Sequence, residues 1–385
     1  MGKHHELLKA KPVLSAAVIA AVCFIGLNLL LDRLYCTSKD LIAGAFASHP
    51  TGAMKTIVGA FRHLNSMDEL SIETAVNGFR ASEPPANVVL MGSSLMMFPF
   101  WAVDKNAEPS LKEQKFQYHQ SVELQKRLRS AGVANAVVYD MATPLQMISD
   151  TYLYMDKLFV GRRAPNTVVL GVSPRDFWDT EFPQPGETLN FMDQVGLADC
   201  GPYWTEYLPH MHDKALFAMS QGLFLFDKRS YIQHFFSDKM TRLVPKKEVS
   251  PLMAGGTRWA FGLGRYKERY QGISIFGIWP QMRFLDKICD LCERRNIRLI
   301  LLNMPLPDVN RRLMPAEFYS QYQHDLTALA QDRHVQLLDL ADDADFKGDF
   351  NYSDAAHMNK VGGRNLIKRL IPAVVAETRG NGQSM

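Results

Sequence analysis

Val88-Val89-Leu90-Met91-Gly92-Ser93-Ser94-Leu95 decides how the rest of the chain is read. Its four apolar residues, closed by a glycine and two serines, make a short strand that delivers a small hydroxyl at its C-terminal end, where open α/β sheets place their sites. A serine hydroxyl is a weak nucleophile at neutral pH. It needs a base within hydrogen-bond reach, and the base needs a third group to fix its tautomer. Matching residues stand far along the chain in Asp354-Ala355-Ala356-His357, where the Asp lies about one turn before the His and can bond its imidazole within one loop. Ser94, His357 and Asp354 can fill these roles. A helix beginning after Ser94 would add amide groups and a dipole that favour negative charge beside the serine.

Outward from that stretch, strand and helix patterns alternate. Strands are predicted at Val88 to Met91, Ala136 to Tyr139, Thr167 to Val172, Arg298 to Leu302 and Val335 to Leu338. Helices are predicted at Phe116 to Ala131, Met147 to Phe159, Ile275 to Arg294, Pro315 to Arg333 and Lys360 to Val375, the last with Asn359 as N-cap. Such alternation predicts a parallel sheet covered by helices on both faces. The stretch from Phe177 to Ser274 interrupts it with Pro183, Pro185, Gly186 and many aromatic residues. It is too long for a connection and reads as an inserted lid or subdomain, with Gly255-Gly256 and Gly262 to Gly264 as hinges or turns.

Val13 to Leu31 carries no charge and approaches the roughly 20 residues that cross a bilayer. Lys3, Lys9 and Lys11 precede it and Asp32-Arg33 follow, so the positive-inside bias puts the N-terminus in the cytoplasm and the large domain outside. The alternative is a cleaved signal peptide, but the run exceeds a usual signal core and no small-x-small site follows it. Between Asp40 and about Arg80, Met54, Ile57, Val58, Phe61 and Leu64 recur at helical spacing, as in a connector packed on the domain or lying on the membrane. Pro84-Pro85 ends it.

The chain of 385 residues is 47% hydrophobic and 22% charged, ordinary for a globular protein. A net charge of +3 leaves no nucleic-acid footprint. Five cysteines, an odd number, argue against a disulfide scaffold. Cys289-x-x-Cys292 falls on a predicted helix and reads as core; His210 and His212 lack a carboxylate set for a metal. Asp342, Asp343 and Asp345 read as a solvated turn, and no phosphate-binding glycine loop occurs.

A Gly-x-Ser-Leu block after the first strand and an Asp-x-x-His just before the final helix resemble the SGNH/GDSL hydrolase superfamily. The resemblance spans Val88 to Val375 apart from the insertion. It implies a flavodoxin-like three-layer α/β fold with a large insertion. Its first block, Gly-Asp-Ser-Leu, stands here as Gly92-Ser93-Ser94-Leu95, which maps the nucleophile to Ser94. Ser93 in place of the acid is similar to membrane-anchored proteins that act in teichoic-acid D-alanylation and to related envelope acyl-transfer proteins of the alginate O-acetylation type. The second block implies an oxyanion-hole amide at Ala142. The third, usually Gly-x-Asn-Asp, has its counterpart in Gly171-Val172-Ser173-Pro174-Arg175-Asp176, with Ser173 where an asparagine donor stands. Losing one such donor costs about 3–4 kcal/mol of transition-state stabilisation. Arg175 either anchors an anionic substrate group or pairs with Asp176.

The expected organisation is a cytoplasmic stub and transmembrane helix over 1–35, a helical connector over 36–85, an SGNH-like α/β domain over 86–376 with the insertion at 177–274, and a disordered tail over 377–385. The expected function is a single-pass, membrane-anchored, periplasmic serine O-acyltransferase or esterase without metal or cofactor. It would act on an envelope polysaccharide or acyl carrier, with a multi-span acyl donor as partner. Two rivals are a non-catalytic envelope assembly or glycan-binding platform on the same fold, and a plain esterase of small esters.

Overall fold

The computed structural model of the chain describes residues 22–30, 33, 67–178, 211, 215, 219, 258–271, 273 and 279–376. The chain divides into two units, 67–202 with 248–385 and 1–66 with 203–247. The elements that follow belong to the first.

Five strands form one sheet: β1 (Val88–Met91), β2 (Val138–Asp140), β3 (Thr167–Val172), β4 (Arg298–Asn303) and β5 (Gln336–Asp339). Their order is β2-β1-β3-β4-β5 and every pairing is parallel, the flavodoxin-like arrangement. β1 and β3 are buried along their whole length because both faces are covered, which is why they read as unbroken apolar runs. β2 lies at an edge yet is buried: Gln120 bridges Tyr139, and the Asp140 amide donates to the His119 carbonyl.

The helices are α1 (Met67–Ala81), α2 (Ser94–Ala107), α3 (Val122–Ser130), α4 (Ile148–Leu158), α5 (Pro174–Phe177), α6 (Arg258–Arg269), α7 (Trp279–Arg294), α8 (Asp308–Arg311), α9 (Ala316–Asp332) and α10 (Lys360–Val375). α10 packs on α2 and α3, while α7 packs on α4 and α9. This division follows from the topology. The chain steps outward from β1 to β2, then returns past β1 to β3, so right-handed crossovers place the two sets on opposite faces. The reversal between β1 and β3 makes the C-terminal ends of those strands the topological switch point, where sheets of this order hold their ligands.

β1, β3 and α10 have the bounds the sequence predicts, and the Asn359 side chain caps α10 by accepting from the Val361 amide at 2.7 Å. The helix predicted from Phe116 starts only at Val122, because the Asp104 carboxylate accepts from the Val122 and Glu123 amides and fixes the first turn there. The end of the predicted connector is α1. Its Ile72, Ala75, Val76 and Phe79 are buried, the Tyr139 hydroxyl donates to the Ala75 carbonyl, and Phe79 packs on Tyr139 and Phe159, so this part of the connector belongs to the core. Gly262 and Gly264, expected at hinges, lie inside α6. Most of the insertion and connector, the tail over 377–385 and both His210 and His212 lie outside the described residues. Among the described residues no helix is long and apolar enough to cross a membrane; of the expected span only 22–30 are described.

Candidate active site

Ser94 is the first residue of α2, with Ser93 as N-cap, and His357 stands just before the N-cap of α10. The two helix starts meet because the helices pack closely: a Cβ on Gly363 would collide with the Pro99 carbonyl and lie 2.8 Å from Val103 Cγ2, so only glycine permits this approach. Pro99 has no N–H, so the break it makes in the α2 ladder falls where α10 crosses. The loop carrying His357 is closed by the Ser353 amide donating to the His357 carbonyl at 2.8 Å and by the bridge between Tyr352 and Met358. Asn310 of α8, itself fully buried, donates to the Ala355 carbonyl at 2.7 Å, and Tyr270 donates to Asn310 at 2.9 Å.

Ser94 Oγ lies 2.9 Å from His357 Nε2. His357 Nδ1 lies 2.9 and 3.0 Å from the two Asp354 carboxylate oxygens. Asp354 also accepts from the Ala356 and His357 amides, so its position is fixed by its own loop. Burial raises the Asp354 pKa, but the His357 hydrogen bonds outweigh it and hold the carboxyl well below the usual carboxylate range. An ionised Asp354 keeps the proton on Nδ1 and leaves the Nε2 lone pair facing Ser94. Burial lowers the His357 pKa; Asp354 opposes that, and the Arg175 and Lys115 charges add to it. The ring packs against Phe98 with centroids 4.7 Å apart, and Lys115 Nζ sits 3.6 Å over the same Phe98 ring. At the start of α2 the Met96 and Met97 amides donate to the Ser93 carbonyl, while those of Ser94 and Leu95 come before the first intrahelical acceptor.

The other predicted residues are placed differently. The Ala142 amide donates to Asp140 Oδ1 at 2.9 Å, in a turn closed two residues back, so it is engaged instead of open to an oxyanion. The Ser173 hydroxyl and amide both donate to Asp176 Oδ2 at 2.8 Å, capping α5, so Ser173 does not replace the asparagine donor. Gly171 faces Gly92 and the Met96 side chain: a Cβ there would lie 2.7 Å from Met96 Sδ. Arg175 is buried, its Nε 4.0 Å from Asp176 and its Nη1 donating to the Tyr266 hydroxyl of α6 at 2.9 Å. Cys289 and Cys292 are buried free thiols. Among the described residues no cluster of three or more His, Cys, Asp or Glu is arranged for a metal ion. The pairing of Arg175 with Asp176 is the one the sequence offers; missed from the sequence were Phe98, Lys115, Asn310, Tyr266 and the burial of Asp140.

Asp140 is 1% exposed, and its Oδ2 has no hydrogen-bond partner among the described residues. Burial raises its pKa to about 8, against the Ala142 amide, which lowers it. A carboxyl held protonated by the fold adds stability that is complete below the unfolded pKa near 4 and is lost as pH rises through the folded value. Asp140→Asn is therefore expected to flatten a loss on the order of 3 kcal/mol between pH 5 and 8. Chemical unfolding of both proteins across that window measures it; parallel curves would mean that Asp140 is already ionised at pH 5.

No family model matches the chain, and no curated protein matches it in sequence. Among solved structures it is similar to the lipase/acylhydrolase from Enterococcus faecalis at 11% identity and TM-score 0.37, covering 75% of this chain and 95% of that one. It is also similar to the acetyl xylan esterase AlAXEase, at 14% identity and TM-score 0.35, over 75% of this chain and 100% of that one. A third is the psychrotrophic esterase EstA from Pseudoalteromonas sp. inhibited by monoethylphosphonate, at 11% identity and TM-score 0.37, over 76% and 99%.

Proposed function

We propose that the chain is a membrane-anchored, extracytoplasmic serine acyl-transfer enzyme that acts on a cell-envelope polysaccharide or related polymer. The observation that carries the chemistry is the 2.9 Å contact between Ser94 Oγ and His357 Nε2, with Asp354 on the far nitrogen. In the first step Ser94 Oγ attacks an ester carbonyl carbon, its proton passes to Nε2, and the carbonyl electron pair moves onto oxygen. The carbonyl then re-forms, the C–O bond to the leaving alcohol breaks, and His357 protonates that alcohol, leaving an ester on Ser94. Water or a polymer hydroxyl, deprotonated by His357, attacks this ester in turn and frees the serine as its proton returns. The binding-platform alternative expects His357 apart from Ser94, so the contact speaks for the enzyme.

The tether reading is supported by the uncharged run from Val13 to Leu31. Residues 22–30 within it are helical, and Val22, Phe24, Ile25, Leu27, Leu29 and Leu30 are all exposed. Positions so spaced cover most of the helix circumference, with only the Asn28 side buried, and so wide an apolar surface suits lipid better than water. A domain held there would meet an acyl group delivered through the membrane by a multi-span donor.

The test pairs a label with a product. A serine-reactive fluorophosphonate should label the membrane-bound wild type and leave Ser94→Ala unlabelled. Mass spectrometry of envelope polymers from cells carrying each form should show an ester substituent that changes with Ser94. Equal labelling of the two would remove the nucleophile; unchanged polymers alongside selective labelling would remove the envelope substrate and leave a small-ester esterase.

A further inference from the structure

Among the described residues, the oxyanion donors that the sequence resemblance implies at Ala142 and Ser173 are engaged elsewhere. Attack by Ser94 puts negative charge on the substrate oxygen, yet the two donors expected beside the serine amide are bound to buried carboxyl groups, Ala142 to Asp140 and Ser173 to Asp176. A hydroxyl has a single proton, and that of Ser173 is directed at Asp176 Oδ2.

One strong positive charge lies in the same place. Arg175 follows β3, and the end of β3 runs against the end of β1: Leu170 pairs with Met91, and a Cβ on Gly92 would lie 2.5 Å from the Gly171 carbonyl. The loop that holds Arg175 therefore abuts Gly92-Ser93-Ser94. From the other side, the Arg175 charge is felt at His357. The guanidinium is 6% exposed, so water screens it little. Its orientation is set from outside the sheet, because Tyr266 of α6 accepts its Nη1 proton, and α6 is seated on the His357 loop, where a Cβ on Gly262 would lie 3.0 Å from Ala355 Cβ.

On the reading that Ser94 is the nucleophile, we propose that Arg175 supplies through its charge the oxyanion stabilisation that the engaged Ala142 and Ser173 donors do not, and that Tyr266 of the insertion is the positioning residue that aims it. Several ionisable groups among the described residues face the pair. His357 faces Asp354 on its own loop, Lys115 beyond Phe98 and Arg175. Arg175 faces Asp176 and the Tyr266 hydroxyl, with Arg269 on the Tyr266 ring. The Asp176 pKa is raised by burial to about 6, against the lowering influence of Arg175, Ser173 and Ser93.

The test is steady-state kinetics of the full-length, detergent-solubilised protein on a chromogenic acetate ester, across pH. Arg175→Met should lower kcat by about 100-fold with KM within about threefold, the size of effect seen when one oxyanion-hole donor is lost. Removing a cation near His357 should also move the acid limb of kcat/KM to higher pH, which a purely structural role would not do. Arg175→Lys should keep kcat within about tenfold and the acid limb in place. Tyr266→Phe should cost kcat a few-fold without moving the limb, since the charge remains. If Arg175→Met keeps kcat within about threefold and its acid limb unmoved, the proposal fails, while an inactive Ser94→Ala in the same assay keeps the nucleophile. Should Arg175→Met not fold, Arg175→Lys decides: a loss near 100-fold with the charge retained overturns the proposal, and near-normal turnover supports it.

Discussion

His357→Ala is expected to lower kcat on a chromogenic acetate ester by about 10,000-fold, because without a base at 2.9 Å the Ser94 proton has nowhere to go during attack. Ser94→Ala should cost about as much, and the double variant no more than either alone, since the two side chains act as one unit. Asp354→Ala should cost roughly tenfold to a hundredfold less than Ser94→Ala, as it removes only the group that orients the base. KM should barely change, for neither Ser94 nor His357 is asked to bind the ground state more tightly than the transition state. The His357 side chain keeps 19% of its surface exposed, so its removal should leave thermal unfolding near that of the wild type. A folded His357→Ala protein that retained a tenth of wild-type kcat would take the base out of the mechanism.

Gly92→Ala should do comparable damage by another route. Gly92 adopts φ +135°, a conformation L residues rarely enter, at a cost of about 1–3 kcal/mol. The added Cβ would also lie 2.5 Å from the Gly171 carbonyl and 3.3 Å from Met96 Cβ. That carbonyl belongs to β3, bonded to strands on both sides, and cannot swing away as a side chain could. Together these effects should exceed about 4 kcal/mol and lower the melting temperature by roughly 10 °C. Gly132→Ala is the control: φ is +107°, but nothing lies within 4 Å of its Cβ position, so only about 1 kcal/mol of backbone strain is expected. A Gly92→Ala protein that melted with the control would show that β1 and β3 can separate at that point without cost. Fluorophosphonate labelling of Gly92→Ala should fall even at temperatures where the protein stays folded, because Ser94 is displaced along with Gly92.

The sheet was readable because strands covered on both faces are apolar at every position, as in Val88 to Met91 and Thr167 to Val172. Ser94, His357 and Asp354 were readable because the chemistry proposed for them constrains residue type and order. What stayed hidden is which polar groups are already spoken for. The engagement of Ser173 had a signal that went unused: Ser173-Pro174-Arg175-Asp176 is a Ser-x-x-Asp capping pattern with proline at the first helical position, which commits the serine to the helix start. Ala142 had only the acid two residues before it. The pairing of Tyr270 and Asn310 with Ala355, and the packing of Phe98 on His357, join positions with no regular spacing, so no periodicity could announce them. Gly262 read as a hinge for a different reason: glycine in a helix looks like a break until the neighbour that needs the room, Ala355, is known.

His357 lies 263 residues beyond Ser94 and is held in place by α10, whose Gly363 seats against Pro99. A nascent chain that has emerged from the ribosome as far as β5 would therefore carry only an inert alcohol at position 94. Reactivity would switch on in a single late event, the docking of the last helix. A protease cut or a misfolding step that frees that helix would silence the protein while leaving the serine itself untouched.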